Sequence, residues 1–280
     1  MKNEFYWKKG LDLSEECITN KSLIPLKTEL IYPKDNGHND FELRRLIGDF
    51  PKEINTKNKQ KNPFLPCDQR LIVSEIEETH LLILNKYPVQ RGHMLLITRE
   101  WQPQDGWLTC DDFNNLLLVE DDTNGLWFFN SSKAAGASQP HRHIQLLPRN
   151  VNQVSCPRTK WFNNLIANNL DRTKLTKNIS IIQRTQDHLR TDAKVLYKYY
   201  LELCLEQGLG NPKSDFKPKG NYNLIITNDW ISLIRRNMDS FMGFNINALG
   251  FAGYLLSTSQ AETDYFKLNG GESILKGVVP

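Results

Sequence analysis

The stretch GASQPHRHIQLLP, residues 136–148, decides how this chain is read. On an extended backbone successive side chains leave opposite faces, so His141, His143 and Gln145 share one face while Arg142, Ile144 and Leu146 share the other. The 280 residues include six histidines, and two of them sit here one residue apart. Strand faces favour β-branched and aromatic side chains, so two imidazoles and a carboxamide side by side sacrifice packing and demand hydrogen-bond partners. The residues before them, Gly136, Ala137, Ser138 and Gln139, carry no bulky side chain. Backbone N–H groups and the Ser138 hydroxyl can therefore approach an anion closely. Loop and strand together read as a phosphate-centred site.

Three chemistries compete for the histidine pair. A metal pair is one, because Gly-x4-His-x-His is near the cupin spacing, but Leu146, Leu147 and Pro148 stand where the cupin glutamate belongs. Histidines satisfied inside a polar core are the second, which accounts for one ring but not for three alternating groups. The third makes one imidazole a nucleophile: neutral imidazole attacks well near pH 7, and a phosphorus–nitrogen bond stays reactive enough to turn over. Gln145 then donates an amide N–H without offering a titrating proton. No metal ligand set is assigned.

Outward from this strand, LIVSEI (71–76), THLLILNK (79–86), HMLLIT (93–98) and GLWFFN (125–130) read as antiparallel strands. Thr109 followed by Asp111 and Asp112 caps an amphipathic helix to Glu120. A helix over 160–168, an apolar ISIIQ and an amphipathic run over 186–207 closed by Gly208 come next. GLGNPKSDFKPKGN is a linker or long loop before YNLIIT (222–227) and WISLIRR (230–236), a hairpin, and the strand-like NINALGFAGYLL (245–256). Residues 33–62 read as loop around one short apolar strip. There is no internal repeat of solenoid length.

Composition sets outer bounds. Hydrophobic content of 39% and charged content of 24% mark a folded globular chain. A net charge of +3 is too weak for a nucleic-acid-binding field. No apolar run approaches the roughly eighteen residues of a membrane span, and the opening MKNEFYWKKGLDL lacks a secretory h-region. The five cysteines form no CxxC pair, so free thiols in a reducing cytoplasm are expected.

The segment over 136–148 resembles the active-site segment of the diadenosine tetraphosphate phosphorylases, also called ATP adenylyltransferases, in the galactose-1-phosphate uridylyltransferase branch of the histidine-triad (HIT-like) superfamily. NPFLP (62–66), LLILNKYPVQRGHMLLIT (81–98), FFNSS (128–132), YNLIITNDWISLIRR (222–236) and NINALGFAGYLL resemble that family's other blocks in the same order. The resemblance implies an α+β fold: a HIT-like antiparallel sheet flanked by helices, completed by a C-terminal strand-rich region. It divides the chain into 1–175, with the HxHxQ motif, and 176–280, packed as one body.

It further implies a two-step transfer in which His143 takes AMP from the dinucleotide and releases ATP, and inorganic phosphate then takes the AMP to give ADP. His141 would orient the site and Gln145 would hold non-bridging oxygens. Asn130 and the loop of Gly136, Ala137, Ser138 and Gln139 would meet ribose and phosphates, and Asn85 with Lys86 the nucleoside. Read from the residues alone, Asn85 and Lys86 are equally a polar strand end. Asn223, Thr227 and Arg235 are candidates for the far nucleotide or the polyphosphate; where the family commonly has Val-Pro-Arg this chain has Leu-Ile-Arg-Arg, which leaves Arg235 and Arg236 both open. Lys57, Lys59 and Lys61 could reach over the polyphosphate, or form an ordinary soluble loop. His38, His80, His93 and His188 show no partner spacing, and His93 is read as structural. No covalently bound cofactor is implied; a divalent cation such as Mg²⁺ can accompany the substrate, and the protein is expected to be a monomer. A related transferase with a sulfate or hexose-phosphate acceptor, and a non-catalytic nucleotide-binding protein, are the alternatives.

Overall fold

Strands rich in Leu and Ile, with helices between them, assemble around one large sheet. The computed structural model describes residues 3–32, 40–48, 62–150, 152–184 and 192–280. Helix α1 (Phe5–Thr19) leads to strands β1 (Thr28–Tyr32), β2 (Glu42–Leu46), β3 (Ile72–Ile76), β4 (His80–Leu84) and β5 (Met94–Thr98). Helix α2 (Cys110–Glu120), β6 (Gly125–Asn130), β7 (His143–Pro148), α3 (Thr159–Ile166), α4 (Lys174–Lys177) and β8 (Ile179–Gln183) follow. The chain ends with α5 (Ala193–Glu206), β9 (Asn221–Ile226), β10 (Trp230–Arg236), β11 (Ser240–Phe241), β12 (Phe244–Asn245), α6 (Ala248–Ala252), β13 (Tyr254–Ser257) and α7 (Gln260–Gly277).

Eight strands form one antiparallel sheet in the order β3-β4-β5-β7-β6-β9-β10-β8. The α+β expectation holds, with one refinement. The C-terminal strands lengthen the sheet through β6–β9 pairing, Trp127 opposite Ile226, instead of stacking on it. NINALGFAGYLL does not join this sheet: it becomes α6 and β13, and β13 runs parallel to β2 in a small three-stranded sheet. Gly253 (φ +103) makes that switch, since a Cβ there would lie 2.5 Å from the Asp40 carbonyl oxygen.

Helices cover both faces of the large sheet, which is why its central strands are near-continuous apolar runs. The back face is a single apolar layer: Leu82, Met94, Leu96, Ile144, Trp127 and Leu224 pack with side chains of α2 and α5. The front face is interrupted. Leu95 and Ile97 join Phe64 in one cluster, while Phe128, Leu147 and Ile225 join Phe162, Phe251 and Phe266 in another. Gln145 lies between them, opposite Leu95 on β5 and Phe128 on β6.

Besides α6, read as strand, and the one-turn α4, two long helices escaped the sequence reading. Helix α1 buries Gly10, Ser14 and Cys17, a stripe at helical spacing made of small residues that hydropathy does not mark. Helix α7 is broken at Gly270 (φ +74), so its buried Phe266 and Ile274 fall out of a single period. The expected helix over 186–207 is present as α5, capped by Asp192 and stopped at Gly208 (φ +67); residues 185–191 lie outside the described residues.

Candidate active site

The strand holding the motif starts two residues later than its alternation suggests. Regular pairing in β7 begins at His143, and His141 makes an isolated bridge to Pro103. The two imidazoles consequently differ. His141 donates from Nε2 to the Thr98 carbonyl at 2.8 Å, because a carbonyl can only accept. Its Nδ1 therefore accepts from Asn62 Nδ2 at 2.9 Å. Both nitrogens are occupied, the ring is flanked edge-on by Phe64 and Trp101, and burial holds its pKa below the usual imidazole range.

His143 is held through one nitrogen. Its Nδ1 donates to the His141 carbonyl at 2.8 Å, which places the ring hydrogen there and the lone pair on Nε2. No described residue hydrogen-bonds Nε2. Its main-chain N–H donates to Gln104 Oε1 at 2.8 Å, and Gln104 Nε2 donates in turn to the Asn130 carbonyl at 2.7 Å. Burial pushes the His143 pKa down to about 4, so the ring is neutral at pH 7. The residue is 2% exposed, and the Phe64 ring lies 5.6 Å from its ring between centroids.

A cleft of roughly 1740 Å³ opens beside this strand, lined by Gln145, His93, Gln104, Lys133, Gly136 and Ser138 among others. His143 does not line it and lies two residues before Gln145, on the same face. Gly136 (φ +88) makes the adjoining turn; a Cβ there would stand 2.6 Å from Asn247 Cβ and 2.8 Å from the Ile246 carbonyl oxygen. The loop offers fewer backbone donors than its composition suggests. Gly136 N–H donates to the Lys133 carbonyl and Ala137 N–H to the Ser132 carbonyl, each at 2.8 Å, closing a tight turn. That leaves the Ser138 and Gln139 N–H groups and the Ser138 hydroxyl without described acceptors. All four loop residues line the cleft, as does Lys133, a cation that the sequence reading did not single out.

The other expected residues sort into three groups. Asn85 lines the cleft, but its polar atoms face the protein: Oδ1 accepts from Tyr87 N–H at 3.1 Å and Nδ2 donates to His93 Nδ1 at 3.0 Å. His93, read from sequence as structural, in turn meets Gln145 Oε1 at 3.1 Å and lines the cleft. Asn130 and Asn223 face each other across β6 and β9, joined by an Nδ2 to Oδ1 bond of 2.8 Å and buried beneath the loop. Lys86 corrects an expectation: it is exposed, outside the cleft, with its ammonium 5.6 Å from the Tyr87 ring centroid.

Thr227 and Arg235 are corrected as well. Thr227 accepts from Trp230 N–H at 3.1 Å in the β9–β10 turn, at the end of the hairpin away from Asn223. Arg235 shares the back face with Leu233 and donates to the Gln207 carbonyl at 2.9 Å. The alternation of β10 instead gives Arg236 to the site side, where it binds Asn223 Oδ1 at 2.6 Å and the Ile246 carbonyl at 2.8 Å. Lys57, Lys59, Lys61, His38 and His188 lie outside the described residues.

Behind the motif, Arg142 pairs with Asp112 Oδ2 at 3.1 Å and His80 meets Asp112 Oδ1 at 3.2 Å. Asp112 also closes the capping box of α2 with Thr109. A buried ion pair thus ties the start of β7 to a helix end. Among the described residues no three His, Cys, Asp or Glu side chains converge as a metal site, and none of their helices is long and apolar enough to cross a membrane.

Comparison with known proteins bears on this geometry. Residues 1–161 match the family model of the Ap4A phosphorylase N-terminal domain, and residues 174–279 that of the ATP adenylyltransferase C-terminal domain. Diadenosine 5',5'''-P1,P4-tetraphosphate phosphorylase 2 of Saccharomyces cerevisiae is 25% identical over 242 residues, covering 72% of this chain and 70% of that protein. Protein APA1 of the same organism is 27% identical over 288 residues, covering 88% and 84%. The crystal structure of yeast Ap4A phosphorylase Apa2 in complex with AMP shares the fold, with a TM-score of 0.75 at 20% identity over 99% of this chain and 96% of that one. The chain belongs to the Ap4A phosphorylase/ATP adenylyltransferase family, a family of nucleotidyltransferase-type enzymes.

Proposed function

We propose that this protein phosphorolyses diadenosine tetraphosphate to ATP and ADP through an AMP–His143 intermediate. The observation that carries the reading is the fixed tautomer of His143, with its hydrogen on Nδ1 and a free lone pair on Nε2. Nε2 attacks the α-phosphorus, the bond from that phosphorus to the bridging oxygen breaks, and ATP leaves with the electron pair. The ring, now bonded through Nε2, carries a positive charge that the His141 carbonyl stabilises through Nδ1–H. A phosphate oxygen then attacks the same phosphorus, the P–N bond breaks, and ADP departs with the ring neutral again. His141 acts through its carbonyl, while its own ring anchors that carbonyl to Thr98 and Asn62.

Gln145, Lys133 and the Ser138 and Gln139 N–H groups supply the donors for phosphate oxygens in both steps. A divalent cation such as Mg²⁺ would supply charge neutralisation on the polyphosphate itself. No described carboxylate cluster fits it as a protein-held ion, and no step is assigned to it. The five free thiols accord with action in the cytoplasm.

Incubation of the protein with diadenosine tetraphosphate and phosphate, sulfate or a sugar phosphate, followed by chromatography, tests the reading. ATP and ADP in equal amounts, appearing with phosphate, are expected. Turnover with sulfate or a sugar phosphate alone reassigns the acceptor, and binding without cleavage replaces the enzyme by a nucleotide-binding protein.

A further inference from the structure

An Asn or Gln amide has one accepting edge and one donating edge, and a half-turn about its last bond exchanges them. At a phosphate site the wrong edge would set a carbonyl oxygen against an anion. Two hydrogen-bond chains, one partly and one fully buried, remove that freedom here. The first begins at the Tyr87 N–H, which donates to Asn85 Oδ1 at 3.1 Å. Asn85 Nδ2 is thereby turned to His93 Nδ1 (3.0 Å), which must accept. The His93 hydrogen then resides on Nε2 and points to Gln145 Oε1 at 3.1 Å. What remains is the Gln145 NH₂ group, with no described acceptor, on a residue that lines the cleft.

The second chain begins at Arg236, whose guanidinium can only donate. Its Nη1 binds Asn223 Oδ1 at 2.6 Å, and Asn223 Nδ2 then donates to Asn130 Oδ1 at 2.8 Å. The Ala248 N–H donates to that same oxygen at 3.0 Å. Asn130 Nδ2 is left buried and without a described partner. Phe128 stands opposite Gln145 in the β6–β7 register, so continuing by two residues sets Asn130 across from His143. Gln104 Nε2, which reaches the carbonyls of both, fits that closeness.

We propose that these chains are polarity locks: each starts at an obligate donor and fixes its terminal amide, Gln145 or Asn130, so that the N–H edge meets a phosphoryl group held at His143. The inference rests on the phosphate-transfer reading of the same site. It assigns Asn85, His93, Asn223 and Arg236 as positioning residues that need not touch the ligand. Burial pushes the His93 pKa down to about 4, and His143 and Arg149 nearby act in the same direction, so the ring stays neutral and the first chain keeps its sense at pH 7.

Titration calorimetry with AMP tests the locks without requiring turnover. His93→Ala should weaken AMP binding about 10-fold in the otherwise native chain, and by less than about 2-fold when Gln145 is already Ala, because nothing is then left to orient. A second cycle pairs Asn223→Asp, nearly isosteric and still able to accept from Arg236, with Asn130→Ala. Asn223→Asp should also cost about 10-fold alone and little beside Asn130→Ala. Equal losses in both backgrounds overturn the lock, since the residue would then act by packing or charge; so does an unchanged affinity in either single variant. Asn85→Ala replaces His93→Ala in the first cycle if the latter does not fold. A protein that binds AMP with these couplings but never cleaves dinucleotide refutes the proposed reaction and leaves the locks standing.

Discussion

The two sides of β7 carry polar networks that end in different ways. Behind the strand, Arg142, Asp112 and His80 form an ionic cluster in which Asp112 accepts from the Thr109 cap as well as from both basic side chains. Its charges are paired within the cluster, and Arg142 Nε alone is without a described partner. In front, the chains run through neutral amides and imidazoles, Arg236 at the head of one of them being the charged exception, and they finish on atoms without described partners: His143 Nε2, Gln145 Nε2 and Asn130 Nδ2. A network whose charges are matched internally holds a strand in place, whereas one that stops at free donors and a free lone pair is incomplete until a ligand arrives. Position relative to the sheet, more than residue type, separates the internally matched network from the open-ended one.

Substitutions on the two sides should therefore fail differently. His143→Ala should lower nucleotidyl transfer by more than about 10³-fold while leaving the denaturant midpoint near the native value. Asp112→Ala should do the reverse, removing on the order of 3–5 kcal/mol of stability by stranding the Arg142 charge, with KM of the folded fraction little changed. Equilibrium unfolding and steady-state kinetics on both variants check the pair, and similar profiles would dissolve the distinction.

Acid should act on the front network. His93 and His143 are held neutral down to about 4 in the folded chain, whereas an unfolded imidazole protonates near 6.5. Between those values the unfolded state binds more protons, so stability falls as pH drops from about 6.5 to about 4 and levels off below. Both rings together should cost several kcal/mol, on the order of 3 for each, read as unfolding free energy against pH. The transfer rate of the protein that remains folded should show no loss near pH 6.5 from His143. The smallest effect belongs to Arg235→Ala: below about 1 kcal/mol in stability and no change in turnover, because its guanidinium meets a helix-end carbonyl behind the sheet.

The strands were legible because buried Leu and Ile runs bounded by turn residues leave few alternatives, and α2 was legible through its capping box. The motif was legible as well, since alternating polar groups on an apolar strand contradict packing unless they have a task. What escaped was set by tertiary contacts. Nothing local in the sequence distinguishes Arg235 from Arg236 before the register of β10 is known, and His93 gains its meaning only when β5 pairs with β7. Gln104 is likewise a loop residue in sequence and a brace of His143 in space. The expected backbone donors of Gly136 and Ala137 were lost to their own turn, which composition does not reveal.

Intact-protein mass spectrometry after mixing with diadenosine tetraphosphate in the absence of phosphate tests the central claim most directly. A gain of one AMP residue is expected, located on His143 by peptide mapping, absent in His143→Ala and discharged as ADP when phosphate is added. Dinucleotide cleavage with no adduct on the wild-type chain, or an adduct that survives the loss of His143, would contradict it.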